Sequence, residues 1–243
     1  GSGSGASWSS LRSSIEPLSL GGRSSGPLSF LNTNDAVGGA IKSGGASRRA
    51  ALMATLDDWH PDVLAFAGAK IEEDRKARAL IAAGWDSDFT NPVGAYGSVK
   101  FQNMNMSVRL SDEFLEAYRK DAAWTTRWVT DPAKAGPSFP ARKLLRLIAE
   151  GTWACGDPGV QYSTTINDWH TVPNSGTIKS SNPCSEFVFL DDTACNLASF
   201  RLTKFLTAAG EFLVDRFKEA VRVVITAQEI VVGPSSYPTE EIG

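Results

Sequence analysis

The chain has 243 residues, of which 42% are hydrophobic and 21% charged, a balance that supports one sizeable core or two small ones and excludes disorder as the main state. A formal net charge of -3 and a pI near 5.5 exclude a broad nucleic-acid or membrane-surface face, because such faces need clustered Lys and Arg to displace counterions. No stretch approaches the ~18 consecutive apolar residues of a membrane span, and no secretory leader pattern is present, so a cytoplasmic setting is expected.

In chain order, residues 1–30 are crowded with Gly and Ser, a composition that suits either a flexible linker or a backbone-rich ligand loop. A short helix is expected over residues 34–41, ending at a loop that contains Lys42, Ser43, Gly44, Gly45 and Arg48. The apolar run of residues 50–56 predicts a buried strand. Pro61 suits the first turn of a helix, since its missing N–H would be unpaired there, and that helix is expected to run toward Lys70. Glu72 and Lys76 stand four apart beyond it and are expected to pair.

Residues 101–110 predict another strand, and Ser111 an N-cap with Asp112 and Glu113 at the positive helix end. That helix should bury Phe114, Leu115 and Tyr118. The β-branched and aromatic residues 124–130 predict a strand, the Pro/Gly cluster of 132–140 a loop, and the stripe Ala141, Leu144, Leu145, Ile148 and Ala149 a helix. Phe217, Ala220, Val221, Val224 and Val231 form a last helical stripe, stopped by Pro234 and Pro238. Alternating strands and helices predict an α/β fold, and there is no internal repeat.

Three cysteines are too few for a disulfide scaffold, so free thiols, metal ligation or redox chemistry remain. In an extended backbone, Asn182, Cys184 and Glu186 would point to one side and present an amide, a thiol and a carboxylate to one ligand. Such a set suits chemistry on a diol: sulfur takes a hydrogen atom, the carboxylate a hydroxyl proton, and the amide orients a hydroxyl. The alternatives are that Cys184 and Cys195 are small buried hydrophobes, or that they join Cys155 and His60 or His170 around zinc. Zinc is disfavoured by the absence of C-x-x-C or H-x-x-x-H spacing, and no metal ligand is assigned. Neither histidine stands in a nucleophile context, which argues against a cysteine hydrolase.

Cys155-Gly156-Asp157-Pro158-Gly159-Val160-Gln161-Tyr162, Thr164-Thr165-Ile166-Asn167-Asp168-Trp169-His170, Ser181-Asn182-Pro183-Cys184-Ser185-Glu186 and Leu190-Asp191-Asp192-Thr193-Ala194-Cys195-Asn196-Leu197-Ala198-Ser199 follow one another in order. Together they resemble the finger-loop region of the adenosylcobalamin-dependent ribonucleotide reductases. The resemblance implies part of a ten-stranded α/β barrel with the cysteine on a central finger loop. It implies that Cys184 is the thiyl radical taking the ribose 3'-hydrogen, Glu186 the acceptor of the 3'-hydroxyl proton, Asn182 a holder of the ribose hydroxyls, and Cys195 one half of the reducing dithiol. Cys155 fits none of these roles and is expected to pack.

By the same resemblance, Gly3, Pro183 and Ser185 join Asn182 at the substrate, and Lys42, Ser43, Gly44, Gly45 and Arg48, with Arg12 and Arg23, bind the effector. Residues 1–50 would be the specificity-loop region, 51–150 strand and helix units, and 151–243 the finger-loop region with its following helix. The implied ligands are adenosylcobalamin, a ribonucleoside di- or triphosphate substrate, and deoxynucleoside triphosphate or ATP effectors. A thioredoxin-like reductant and a homodimeric arrangement are implied as well. The chain reads as a piece of a longer enzyme, so little turnover and exposed apolar faces are expected of it alone. A catalytically silent nucleotide-binding or dimerisation piece, and the glycyl-radical or iron-dependent branch of the superfamily, are the competing readings. The short gap from Cys184 to Cys195 argues against the second of these.

Overall fold

The computed structural model describes residues 3–41, 50–237 and 239–242. Two compact units are present, Gly1–Asp191 and Asp192–Gly243.

The first unit is organised by a parallel sheet of four strands, β1 (Gly3–Ser7), β2 (Ala51–Asp57), β3 (Met104–Leu110) and β6 (Gly159–Tyr162), in the spatial order β1-β2-β3-β6. Strand order follows chain order, each strand joining the same growing edge. Register aligns Met53 with Gly5 and Asn105, and Arg109 with Asp57 and Gln161. Because side chains alternate across a strand, this register sorts the sheet into two chemically different faces. Even-numbered positions carry Leu52, Ala54, Leu56, Met104, Met106, Val108, Leu110 and Val160, all within or against the apolar core. Odd-numbered positions carry Gly3, Gly5, Thr55, Asp57, Asn105, Ser107, Arg109 and Gln161.

The apolar face is covered by α1 (Gly26–Ala40), α2 (Val63–Ala82) and α4 (Ala141–Cys155), through Leu31, Val63, Phe66, Ala67, Leu144 and Ile148. At α1, Gly38 makes close approach possible: a β-carbon there would stand 2.8 Å from Leu52 Cδ1. The helix starts at Gly26-Pro27, well before the expected residue 34, because Pro27 supplies a pre-set first turn. On α2 the expected Glu72–Lys76 pair is replaced by two pairs at a spacing of three, Arg75 with Glu72 at 2.5 Å and Lys76 with Glu73 at 2.6 Å. Glu73 is nearly buried and also accepts the Lys100 amide, so it is the better-fixed partner for Lys76.

Helix α3 (Asp112–Arg119) begins at the predicted cap: Ser111 Oγ accepts the Phe114 amide at 3.2 Å. Phe114 is fully buried, edge-on to Trp124 at 5.4 Å. β4 (Ala123–Arg127) then pairs antiparallel with β5 (Ala135–Pro140), where a loop was expected. In a two-stranded ribbon every residue has an open edge, so prolines at 137 and 140 are tolerated there. On α4, Ala141, Leu144 and Ile148 are buried as expected, whereas Ala149 faces solvent.

Two carboxylates brace the loops beyond the sheet, with opposite pH behaviour. Glu16 is fully buried and accepts four hydrogen bonds, from Ser13 N (2.9 Å), Ser13 Oγ (2.5 Å), Thr130 N (2.9 Å) and Thr130 Oγ1 (2.6 Å). Burial alone would raise this group, but the four donors outweigh it and hold the carboxyl down at about 2. Its contribution to stability is therefore complete above an unfolded value of 4.5 and is lost as pH falls toward 2. Glu16→Gln is expected to destabilise the fold by roughly 3 kcal/mol at neutral pH and to flatten this acid limb, as urea melts between pH 2 and 7 would read. Asp58, buried beneath Ser111, is instead raised to about 6, burial exceeding the effect of the Ser111 N and Oγ hydrogen bonds. It favours the fold less as pH rises from 3.8 through 6.

The second unit holds a short 3-10 turn at Leu202–Phe205 and α6 (Val214–Val232). Phe200, Phe205, Phe212 and Phe217 cluster with ring centroids 5.3 to 6.2 Å apart, edge-on except for the tilted pair Phe205 and Phe212. Phe217, Ala220, Val221 and Val224 are half-buried along the predicted stripe, while Val231 is exposed. No helix among the described residues is long and apolar enough to cross a membrane.

Candidate active site

The polar face of the sheet is occupied by the arm that leads into Cys184. Residues 178–183 lie across it and are held by one side chain after another from the strands. Arg109 Nη2 donates to the Ile178 carbonyl (2.8 Å), Thr55 Oγ1 to that of Lys179 (3.0 Å), and Asn105 Nδ2 to that of Pro183 (2.7 Å). Gln161 Nε2 donates to Ser181 Oγ at 2.8 Å. Arg109 is itself buried, donates to Gln161 Oε1 at 3.0 Å and stands 3.3 Å from Asp57, an ion pair without good hydrogen-bond alignment. Burial lowers the guanidinium pKa, and the neighbouring Asp57 opposes that shift.

The glycines of β1 give the arm its seat. A β-carbon on Gly5 would lie 1.7 Å from the Ser181 carbonyl oxygen, and one on Gly3 would lie 2.8 Å from Pro183 Cγ. The space left by the missing side chains is thus filled by the cysteine arm, whereas the resemblance assigned Gly3 to the nucleotide.

Beyond the arm the backbone turns. Ser185 N donates to the Asn182 carbonyl at 3.0 Å, and Ser185 itself has φ +63°. Cys184 is not among the positive-φ residues, so Pro183 and Cys184 occupy the central positions of a type I turn followed by a left-handed residue. The turn is closed by Asn182 N to Phe187 O (3.1 Å) and by Phe187 N to Asn182 Oδ1 (3.0 Å). Ser181 Oγ and Ser185 Oγ are 3.1 Å apart across it. The extended backbone expected at 182–186 is therefore corrected: proline at the second turn position and serine in the left-handed region bend the chain, and the spacing of two no longer aligns the three side chains.

Pro183 is buried and Asn182 half-buried, whereas Cys184, Ser185 and Glu186 are exposed. The buried-hydrophobe reading of Cys184 does not hold. Cys195 belongs to the second unit and is exposed as well. Cys155 is half-buried at the end of α4, its Sγ 3.3 Å from the Gly151 carbonyl, in keeping with a packing role.

Of the residues assigned to the effector, Lys42, Ser43, Gly44, Gly45 and Arg48 lie outside the described residues. Arg12 donates to the Pro17 carbonyl at 3.1 Å, and Arg23 is exposed on a small hairpin where Pro17 and Arg23 form a β-bridge.

Beside the turn, an open cleft of about 580 Å³ is lined by Val160, Tyr162, Ile166, Trp169, Ser185 and Val188. Trp169 is 81% exposed, which leaves an aromatic face available to a ligand. Sequence reading missed this cleft and the clamp residues Thr55, Asn105, Arg109 and Gln161. The signal for the clamp was there: Asn105, Ser107 and Arg109 alternate with Met104, Met106, Val108 and Leu110, which marks a strand with one polar, covered face.

The family model for the ribonucleotide reductase barrel domain matches residues 1–243. The chain is 56% identical over 243 residues to a vitamin B12-dependent ribonucleotide reductase of Rhodopirellula baltica, with all of this chain and 23% of that protein covered. It is 48% identical over 247 residues to the enzyme of that name from Streptomyces clavuligerus, covering 25% of it. A vitamin B12-dependent ribonucleoside-diphosphate reductase of Mycobacterium tuberculosis is 33% identical over 246 residues, with 31% of its length covered. The chain thus spans between 23% and 31% of these relatives' length. With the family model matched from the first residue to the last, the chain belongs to the ribonucleotide reductase barrel-domain family.

Proposed function

We propose that the full-length protein containing this segment is an adenosylcobalamin-dependent ribonucleotide reductase, and that Cys184 is the residue that attacks the ribose. The observation that carries this reading is the exposed thiol at the tip of a turn pinned from beneath by four strand side chains. A hydrogen-atom acceptor must be accessible yet fixed, since misplacement by an ångström costs orders of magnitude in rate.

In this reading Cys184, as a thiyl, takes the 3'-hydrogen from the ribose, and Glu186 accepts the 3'-hydroxyl proton. Asn182, with Oδ1 committed to Phe187 N, offers Nδ2 to a ribose hydroxyl. The 2'-hydroxyl leaves as water, a dithiol that includes Cys195 becomes a disulfide, and the 3'-hydrogen is returned. Overall, ribonucleotide and dithiol give deoxyribonucleotide, disulfide and water, and a thioredoxin-like protein restores the dithiol.

Adenosylcobalamin, when bound, supplies by carbon–cobalt homolysis the one-electron step that makes the thiyl. The apolar cleft at Tyr162, Ile166 and Trp169 fits contact with the organic periphery of that group. The unreversed order β1-β2-β3-β6, with helices packed on its apolar face, supports a stretch of the wall of a ten-stranded barrel whose interior holds the cysteine arm as a finger loop. Lys42, Ser43, Gly44, Gly45 and Arg48, with Arg12 and Arg23, remain the proposed effector contacts, for deoxynucleoside triphosphates or ATP. A cytoplasmic setting and a homodimeric parent complete the reading.

The test is turnover by the full-length enzyme, supplied with adenosylcobalamin, a dithiol and ribonucleoside di- or triphosphates. Cofactor-dependent deoxyribonucleotide is expected from the full-length enzyme and none from the 243-residue chain alone. A folded, nucleotide-binding full-length enzyme that forms no deoxyribonucleotide overturns the proposal.

A further inference from the structure

We infer that Asn105 is a positioning residue for Cys184: its side-chain amide selects the orientation of the Pro183–Cys184 peptide and so the direction in which the thiol is presented. This inference rests on the reading of Cys184 given above.

A proline at the second position of a turn is compatible with type I and with type II, which differ mainly by a half-rotation of the central peptide. Here that peptide joins Pro183 to Cys184. In type I the third residue keeps a negative φ; in type II it must enter the positive-φ region that L-residues disfavour. Cys184 lies outside that region, and the strain is taken one residue later by Ser185 at φ +63°. Asn105 Nδ2 holds the Pro183 carbonyl oxygen at 2.7 Å, and this is the oxygen that would swing away if the peptide turned over. Pro183 has no N–H, so its carbonyl is its only backbone polar group for any partner to hold.

Asn105 is well placed for this role and carries little else. It stands on β3, a central strand of the sheet, paired in register with Met53, so its backbone is fixed from the ladder. Its side chain remains exposed on the polar face, outside the apolar core, and among the described residues its side-chain hydrogen bond is to Pro183. A second tether, Gln161 to Ser181 and Ser181 to Ser185, secures the arm and the far side of the turn but touches neither atom of the Pro183–Cys184 peptide. Arg109 and Thr55 act further up the arm, at Ile178 and Lys179. Removing Asn105 therefore leaves the arm seated and frees one peptide.

The experiment uses the full-length enzyme with Asn105→Asp, which keeps size and loses the donor, and Asn105→Ala, which deletes the group. The expected result is a fall in kcat of about 10-fold or more with KM for the ribonucleotide within about twofold, since a misdirected thiol weakens the chemical step and not substrate binding. Thermal midpoint should stay within about 2 °C, as for other exposed polar substitutions. Alkylation by iodoacetamide, read by mass spectrometry on the peptide that contains Cys184, should change severalfold in rate while Cys155 and Cys195 react as before. Wild-type kcat in Asn105→Asp overturns the inference, as does a raised KM at unchanged kcat, which would make Asn105 a substrate ligand. Should either variant fail to fold, Asn105 is structural and the inference fails. Cys184→Ser in parallel separates the two claims: turnover retained there defeats the reading of Cys184 itself, whereas turnover lost there but kept in Asn105→Asp defeats only the role of Asn105.

Discussion

Serine in place of Cys184 is expected to reduce deoxyribonucleotide formation by the full-length enzyme by more than about 10³-fold while leaving the fold intact. A serine O–H bond is too strong for a carbon-centred radical to break, so no radical forms at that position to take the ribose hydrogen; an attacking group realised only in the transition state is lost from kcat. Stability should hardly change, because the thiol is exposed, the turn is closed by backbone and Asn182 bonds, and none of those bonds uses Sγ. Steady-state turnover with parallel thermal melts separates the two. Unaltered melting with lost turnover is the expected pair of results; lost melting would mean that the thiol braces the fold.

Valine in place of Gly5 should have the largest effect on the first unit's stability, about 4 kcal/mol. Even the first carbon of a side chain would meet the Ser181 carbonyl at 1.7 Å, and the contact is with backbone, which cannot rotate aside. The arm must then lift from the sheet, releasing Asn105, Gln161 and Thr55 from their partners and uncovering Arg109. Those coupled losses place the cost above that of ordinary overpacking. Gly3→Ala offers the contrast. Its new carbon would meet Cγ and Cδ of the Pro183 ring at 2.8 and 2.9 Å, a ring closed onto the backbone that yields only through its pucker, so a smaller cost of about 2 kcal/mol is expected. Urea melts of the two variants would give the ranking; equal costs would show that the arm is not seated on β1.

The contrast between Gly5 and Gly3 also shows what a sequence conveys and what it withholds. Alternation in residues 104–110 and the cap at Ser111 are local patterns, and both were legible. The ribbon strand β5 was not, because its prolines read as loop until a partner strand with an open edge is known. The cysteine turn was misread for a similar reason. Period-two spacing at 182–186 carries meaning only in an extended chain, and the bend is fixed by contacts from residues as distant in sequence as Asn105. Gly3 and Gly5 signalled a close approach, but only the folded chain identifies the approaching group as residues 181–183. The pairing on α2 turned on which carboxylate was buried, a tertiary property.

In the proposed reaction the first event at the substrate is removal of the ribose 3'-hydrogen by the thiyl radical of Cys184. The most direct measurement is competition between ribonucleotide carrying deuterium at C3' and the unlabelled substrate, followed as product isotope ratio in the full-length enzyme and its serine variant. Discrimination against the deuterated substrate in the parent, with no product from the variant, is the predicted result. Product whose isotope ratio is indifferent to 3'-deuterium, and which the serine variant still forms, would contradict it.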